Sequence, residues 1–392
     1  MSKAIIAAIE IHDISLAKTI LADVKQLTNV NVIEWFNSVG EKGPLATKTV
    51  PDIIIVDDDA TSKTIFTRVQ KLRKSFPQAA IFVISSIKRP EHIIDVMKTG
   101  VAEYLIAPVE KKHLHDSIEE VRANLASSGK IAKGEIHSFI SSKGGLGASM
   151  IAVNTAVALA VHGGGSVALF DLSLQSGDCS VFLDLTPQTT IIDVCRKFHA
   201  LDIAMLRGAM CRHSSGVELL AAPDTPDQNE EVTPEHLGKI LDIASKLYDN
   251  IIIDCQSMFI DERTVQAFET STNIFILSDL SVPSVRNAFR INKLILESGI
   301  DGDKIQFLAN RFLKSQTETI LDVEETLHKK LYWLFPNDFE EVHSAIDEGI
   351  PVMQLNPHAA LSKNIVSFTK KLRNLSSDPD YRGARGTFGR AL

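Results

Sequence analysis

Nine consecutive residues carry chemistry that can be read directly: Ser141-Ser142-Lys143-Gly144-Gly145-Leu146-Gly147-Ala148-Ser149. They follow a short apolar run, Ile136 to Ile140, and open an apolar stretch of helical character from Met150 to Val161. Strand, glycine-rich turn and helix form the context of a phosphate-cradling loop. The three glycines let several backbone N–H groups converge on one anion beside the positive end of the following helix. A hydroxyl at Ser149 then stands where Mg²⁺ is ligated. One position departs from the pattern. The lysine that ordinarily precedes this Ser/Thr and reaches the β/γ-phosphates is replaced by Ala148.

The chain that must position this loop has 392 residues, enough for two or three domains. A hydrophobic fraction of 44% and a charged fraction of 23% are those of a globular protein. The net charge of −8 provides no overall electrostatic footprint for nucleic acid, so no specific nucleic-acid partner is expected. No apolar run approaches the ~20 residues of a membrane-spanning helix. Only six apolar residues follow Lys3, too few for a secretory signal. Cys179, Cys195, Cys211 and Cys255 lack C-x-x-C or Cys/His metal spacing. They are expected to be reduced, mostly buried thiols of a cytoplasmic protein.

Two α/β segments are expected. In the first ~125 residues, short apolar runs alternate with helical patterns, as in a parallel sheet with crossover helices. Expected strands are Ala4–Ile9, Val30–Trp35, Ile53–Val56, Ile81–Ile84 and Tyr104–Ile106, and expected helices Ile14–Leu27, Ser62–Ser75, His92–Thr99 and Lys112–Leu125. This predicts a flavodoxin-like doubly wound domain over residues 1–128. The small, polar stretch 129–134 reads as a linker. A second doubly wound domain spans residues 135–376, with strands Ser166–Phe170, Val217–Ala221, Ile251–Ile253, Ile274–Leu277 and Ile305–Leu308. Gly163-Gly164-Gly165 is the expected stop of the helix that follows the loop. Leu361, Ile365, Phe368, Leu372 and Leu375 form one stripe of a last amphipathic helix, and residues 377–392 are expected to be a flexible tail.

Pro51-Asp52-Ile53-Ile54-Ile55-Val56-Asp57 resembles the third strand of two-component receiver domains, which ends on the phospho-accepting aspartate. Ser85 matches the receiver hydroxyl, and Gly100 to Pro108 resembles the fifth strand and its X-Pro turn. The receiver lysine is replaced by Ala107, and Glu10-Ile11-His12-Asp13 only loosely substitutes for the acidic pair that holds Mg²⁺. The expectation is a pseudo-receiver used for docking, with Asp57-Asp58-Asp59 a solvated acidic turn in preference to a phosphorylation site.

Lys143 ahead of Gly144-Gly145 resembles the deviant Walker A loop of the ParA/MinD ATPase superfamily, a P-loop fold with a mostly parallel sheet. The resemblance implies ATP and Mg²⁺ as ligands and a homodimer in which Lys143 reaches the partner's nucleotide. It makes Lys143, Gly144, Gly145, Leu146, Gly147, Ala148, Ser149 and Met150 candidate nucleotide-binding residues. Tyr248 to Asp254 resembles the Walker B strand, so Asp254 joins Ser149 as a metal-site candidate. Asn310-Arg311 matches the family's adenine-recognising pair, and Phe170 to Asp178 its first switch, with Asp171 beside Lys143 as a catalytic candidate. Ala148, the segment Ser281 to Ala288 and the receiver-like N-terminus together resemble the TadZ/CpaE subgroup. Those proteins mark a cell pole near the inner membrane and assist assembly of type IVb (Flp/Tad) pili, which would supply the partners.

Turnover is expected to be weak, in an ATP-stabilised dimer; the alternatives are an active ATPase cycling between dimer and monomer to position cargo, and a nucleotide-free interaction scaffold. Most members of the family carry Asp-x-Asp in the first switch, and its second aspartate, which orients the attacking water, is here Ser173. Losing such a group typically costs about 10²–10⁴ in rate. The lysine missing at Ala148 removes a charge pair worth on the order of 4 kcal/mol before desolvation. Asp178 is an alternative carboxylate, or simply a surface acid. The last helix carries Lys363, Lys370, Lys371 and Arg373 and no acid between Leu361 and Leu375. Packing of its apolar stripe on the sheet is favoured over docking on an anionic membrane.

Overall fold

The computed structural model describes residues 4–27, 30–35, 50–58, 64–130, 132–163, 165–223, 225–257 and 260–377. Ser62, Asp59, Gly164 and the tail from residue 378, each named above, lie outside these. The chain divides into two compact units, Ser2–Ala132 and Lys133–Leu392.

The first unit runs β1 (Ile5–Glu10), α1 (Ile14–Val24), β2 (Val30–Glu34), β3 (Ile53–Asp58) and α2 (Thr64–Ser75). It continues with β4 (Ala80–Ser85), α3 (Pro90–Lys98), β5 (Glu103–Ile106) and α4 (Lys111–Ser127). All strand pairs are parallel, in the order β2-β1-β3-β4-β5. That is the flavodoxin-like order, which puts the ends of β1 and β3 side by side where the winding reverses. Every residue of β3 is buried, because helices cover both faces of a central parallel strand. Ile53 and Ile55 join one apolar cluster, and Ile54 and Val56 another.

The second unit opens with β6 (Glu135–Ser141), α5 (Ala148–His162) and β7 (Val167–Leu172). Then follow α6 (Ile191–Arg196), α7 (Ile203–Ala209), β8 (Cys211–Arg212), β9 (Val217–Leu220), α8 (Pro234–Leu247) and β10 (Asn250–Cys255). After α9 (Glu262–Thr270), β11 (Asn273–Ser278) and α10 (Val282–Glu297) comes β12 (Ile305–Phe312). The remainder is α11 (Thr319–Leu327), β13 (Leu331–Pro336), α12 (Phe339–Glu348), α13 (Val352–Leu355) and α14 (Ala360–Ser377). The sheet order is β13-β12-β11-β6-β10-β7-β9-β8, parallel except for β8 on β9. Strand β13, Leu-Tyr-Trp-Leu-Phe-Pro, is absent from the sequence expectation. Its aromatic run, ending in proline, sits at the sheet edge, where the missing proline donor is tolerated.

Lys133 and Gly134, inside the stretch expected to be a linker, are already bonded to the second unit. Gly134 N–H donates to the Ser245 carbonyl at 2.6 Å, and Lys133 Nζ lies 2.6 Å from Asp242 Oδ1. A Cβ on Gly134 would stand 1.8 Å from the Tyr248 carbonyl oxygen, so only glycine fits.

Helix α5 is apolar almost all round and buried from Ala148 to Leu159 except at Ser149, as a helix wrapped by its own domain must be. Part of that wrapping is α14. Its Leu361, Ile365, Phe368 and Leu372 are buried in the same core cluster, and Arg373 donates to the His162 carbonyl at 3.2 Å. Lys371 lies over the Tyr332 ring at 4.1 Å. The apolar stripe from Leu361 to Leu372 is thus spent on the protein interior, while Lys363 and Lys370 stay exposed. No helix among the described residues is long and apolar enough to cross one.

His137 on β6 is fully buried, with Nδ1 3.2 Å from Asn273 Nδ2 and the ring against Phe275. Burial pushes its pKa down to about 4, opposed weakly by Glu135. The unfolded chain takes up this proton first, so stability is lost as pH falls from about 6.5 toward 4. The loss is up to ~3 kcal/mol. Urea unfolding at neutral pH and near pH 4.5 should show a smaller difference for His137→Gln than for the wild type; equal differences would remove His137 as the cause.

Candidate functional site

Parallel register gathers the expected residues at one edge. Asp254 on β10 is the direct neighbour of Asp171 on β7 and of Phe139 on β6. All three strands run the same way, so their C-terminal ends, and the loop after β6, meet on one side of the sheet.

The loop departs from β6 by bonding to β11. Ser142 N–H donates to the Leu277 carbonyl at 2.8 Å, and the Ser142 hydroxyl lies 2.8 Å from that of Ser284. Gly145 and Gly147 take φ of +74° and +87°, which L side chains rarely adopt. Gly147 is the N-cap of α5, and no side chain caps the helix there. Its first N–H groups and positive end are therefore available to an anion.

Asn310 and Arg311 tie this loop down from β12. Asn310 Nδ2 donates to the Leu146 carbonyl at 2.8 Å, and Arg311 to the Gly145 carbonyl at 2.7 Å. Together with Leu146, Gly147, Met150 and the turn Pro336 to Phe339, they line a cavity of about 120 Å³ beside the loop. The pair thus braces the loop from behind as well as facing this cavity.

Lys143 is held in its own chain. Its Nζ is 3.0 Å from Asp279 Oδ2 and 3.5 Å from the Ser281 hydroxyl. Burial alone would raise the Asp279 pKa; bonds from Ser281 and Lys143 overcome it and hold the carboxyl below its ordinary range. Nothing in the sequence pattern pointed to Asp279, which lies 136 residues away.

Asp171 and Asp254 are almost completely buried. Asp171 accepts from Ser173 N–H and Cys179 N–H, both at 3.1 Å. Asp254 Oδ1 has no hydrogen-bond partner. Burial pushes both carboxyls up; the charge of Asp171 pushes Asp254 further, while the Ser149 hydroxyl lowers it somewhat. No described lysine or arginine forms an ion pair with either one. Two such acids with one orphaned oxygen, beside the Ser149 hydroxyl and a bare helix N-terminus, suit a divalent cation accompanying a phosphate. Ser173 turns its hydroxyl to Ser176 at 3.3 Å, and Asp178 is exposed. The switch follows the acids so closely that a Cβ on Gly177 would stand 2.6 Å from Asp171 Oδ2 and 2.4 Å from Ala222 Cβ.

A second acidic cluster sits at the β1 and β3 ends of the first unit. Asp57 accepts from His12 N–H at 2.7 Å, Asp13 N–H at 3.2 Å and Arg68 at 3.2 Å, with His12 Nδ1 at 3.0 Å. Arg68 also donates to the carbonyls of Asp57 (2.8 Å) and Glu10 (3.0 Å) and lies 3.7 Å from the Glu10 carboxylate. Burial alone would raise the Asp57 carboxyl, but the bonds from His12 and Asp13 and the Arg68 charge hold it below its ordinary range. The expected solvated turn is corrected here: Asp57 and Asp58 are both 7% exposed. Ser85, matched above to a hydroxyl serving Asp57, instead donates to Asp58 Oδ2 at 3.0 Å, where His92 also binds at 2.7 Å. Arg68 falls in a helix whose charge pattern gave no reason to single it out.

Comparison with known proteins engages the second unit. The septum site-determining protein MinD of Thermotoga maritima is 27% identical over 240 residues, covering 59% of this chain and 86% of that protein. That length exceeds the whole first unit. An uncharacterized ATP-binding protein of Methanocaldococcus jannaschii is 25% identical over 234 residues, 59% of this chain and 85% of its own. Among solved structures, a ParA family ATPase from Chlorobium tepidum TLS matches with a TM-score of 0.57 at 27% identity, covering 60% of this chain and 98% of that one. Relatives and fold both support the ParA/MinD superfamily. The Mg-ADP complex of MinD from Pyrococcus horikoshii shares this ParA/MinD fold, with a TM-score of 0.54 at 20% identity over 62% of this chain and 97% of that one. No protein-family model matches the chain.

Gly177→Ala should therefore displace the switch from Asp171 and destabilise the ParA/MinD-type unit by about 1–3 kcal/mol, the usual cost of overpacking. Thermal unfolding with and without Mg²⁺-ATP would measure it; unchanged curves would contradict the close packing.

Proposed function

We propose that the chain is an ATP-binding positioning factor of the ParA/MinD kind, in which nucleotide drives dimerisation and hydrolysis is slow or absent. The observation that carries this reading is the pairing of an uncapped α5 N-terminus with the orphaned, buried Asp254 Oδ1 at one sheet edge. The loop N–H groups would hold the phosphates. Ser149 would ligate Mg²⁺ directly, and Asp254 would hold it through water; the ion would supply charge neutralisation at the phosphates. The relative described as ATP-binding and the Mg-ADP complex support the same ligands. Lys143 leaves Asp279 to reach the partner's nucleotide, so dimerisation exchanges one ion pair for another. Ala148 is 5% exposed and brings no charge to the phosphates, and Ser173 offers no carboxylate to a water.

For the output, the Ala148 and Ser281–Ala288 resemblances favour polar placement of type IVb pilus assembly components, with the first unit as the docking module. That unit is read as a pseudo-receiver: Arg68 already supplies the positive charge that Mg²⁺ would bring to Asp57, and Ala107 stands where a receiver has lysine.

Calorimetric titration should show binding of Mg²⁺-ATP, and light scattering should show an ATP-dependent dimer that Lys143→Ala abolishes. No binding at millimolar nucleotide would overturn the reading, and steady phosphate release abolished by Lys143→Ala would replace the slow-hydrolysis form with a cycling ATPase. For the first unit, incubation with acetyl phosphate and Mg²⁺ should leave the intact mass unchanged. A gain of one phosphoryl group, lost in Asp57→Asn, would return the unit to the phosphorylated receivers.

A further inference from the structure

Cys179 belongs to the buried apolar core cluster, yet the nucleotide reading gives no role to its thiol, which stands against two carboxylates. It lies eight residues beyond Asp171 on the switch and is 0% exposed. Its N–H binds Asp171 Oδ2 at 3.1 Å, and its Sγ is 3.7 Å from Asp254 Oδ2. One donor atom from each of Asp171, Cys179 and Asp254 lies within 4.8 Å of the other two. The charges that act on this trio are carboxylates, those of Asp171, Asp254 and Asp178. Asp254 Oδ1, fully buried, has no hydrogen-bond partner. The cluster lacks a positive charge and has a donor oxygen to spare.

The ligand types say which cation fits. Mg²⁺ takes oxygen ligands in a near-octahedral shell and has little use for sulfur. Thiolate selects softer ions, zinc foremost among the divalent ones. In a tetrahedral zinc site, Zn–S of ~2.3 Å and Zn–O of ~2.0 Å place sulfur and oxygen about 3.5 Å apart. The Cys179 thiol donates to Asp254 Oδ2 at 3.7 Å, a hydrogen bond whose S···O separation is close to that spacing.

We propose that Asp171, Cys179 and Asp254 form a binding site for a thiophilic divalent cation of the zinc class, taken up by the nucleotide-free protein. Three protein ligands leave a fourth position for water, and the thiol proton passes to solvent as the sulfur–metal bond forms. The site shares Asp171 and Asp254 with the nucleotide reading on which this inference rests. A zinc-class ion there competes with the Mg²⁺-nucleotide complex and ties the switch to β10 through sulfur. The chain would then report thiophilic metal as well as nucleotide.

The test uses the full chain, chelator-washed and free of nucleotide, in a Cys195→Ser, Cys211→Ser background. Cys255 remains, but its side chain leaves β10 on the face opposite Asp254, as successive strand residues do. Co²⁺ is the spectroscopic probe and Zn²⁺ the calorimetric one. One Co²⁺ per chain should give a thiolate-to-metal charge-transfer band. In Cys179→Ser that band should vanish, and Zn²⁺ affinity should fall by at least ~10–100-fold, the loss typical even of a supporting residue. A Co²⁺ spectrum of oxygen ligands alone in the background protein would overturn the proposal without recourse to any variant at Cys179. So would equal Zn²⁺ affinity with serine at that position. Titration of the wild-type protein with Mg²⁺-ATP is run separately, so failure of the nucleotide reading is distinguishable from failure of the metal site.

Discussion

Two buried carboxylates on neighbouring parallel strands, Asp171 and Asp254, impose the constraint on which the second unit depends. Their register makes them direct neighbours, and no described basic side chain pairs with either. Buried acids in that state are expensive unless they are protonated, hydrogen-bonded or joined by a cation. The surrounding structure supplies partial relief from the N–H groups of Ser173 and Cys179 and from the Ser149 hydroxyl. It leaves the rest to a ligand. The bare α5 N-terminus beside them extends the demand, since its positive end favours an anion. A metal–phosphate pair answers both at once.

The first unit meets the same electrostatic problem differently. Glu10 and Asp57 also converge at the ends of adjacent parallel strands, yet Arg68 reaches between them from α2. An internal guanidinium is always present and always charged and offsets part of that cost, although Glu10 Oε2 keeps no hydrogen-bond partner. The acids of the first unit therefore have a basic side chain among them, whereas those of the second have none among the described residues.

Lys143 is already committed to an ion pair. With Asp279 as partner the lysine is satisfied within its own chain, and any other anion must compete with a pair already formed. The brace from Asn310 and Arg311 fixes the loop backbone, while the long Lys143 side chain can still change partners.

The sequence by itself determined a good deal. The glycine loop after an apolar strand, the acids ending apolar runs at Asp171 and Asp254, and the alternation of helices and strands are local patterns, and each reads without knowledge of the fold. The parallel character of both sheets follows from that alternation. The sequence could not show Asp279 beside Lys143, Arg68 between Glu10 and Asp57, Ser85 on Asp58 rather than Asp57, or Cys179 against Asp254. These contacts join residues 136, 58, 27 and 75 positions apart, and a single sequence has no signal at such separations. The edge strand β13 escaped because aromatic runs suit a strand or a buried helix equally well. The last helix was legible as amphipathic, but which surface would cover its stripe was decided only when α5 needed a neighbour. Residue types fix what chemistry is available, whereas strand order and register decide which charges face each other without water between them.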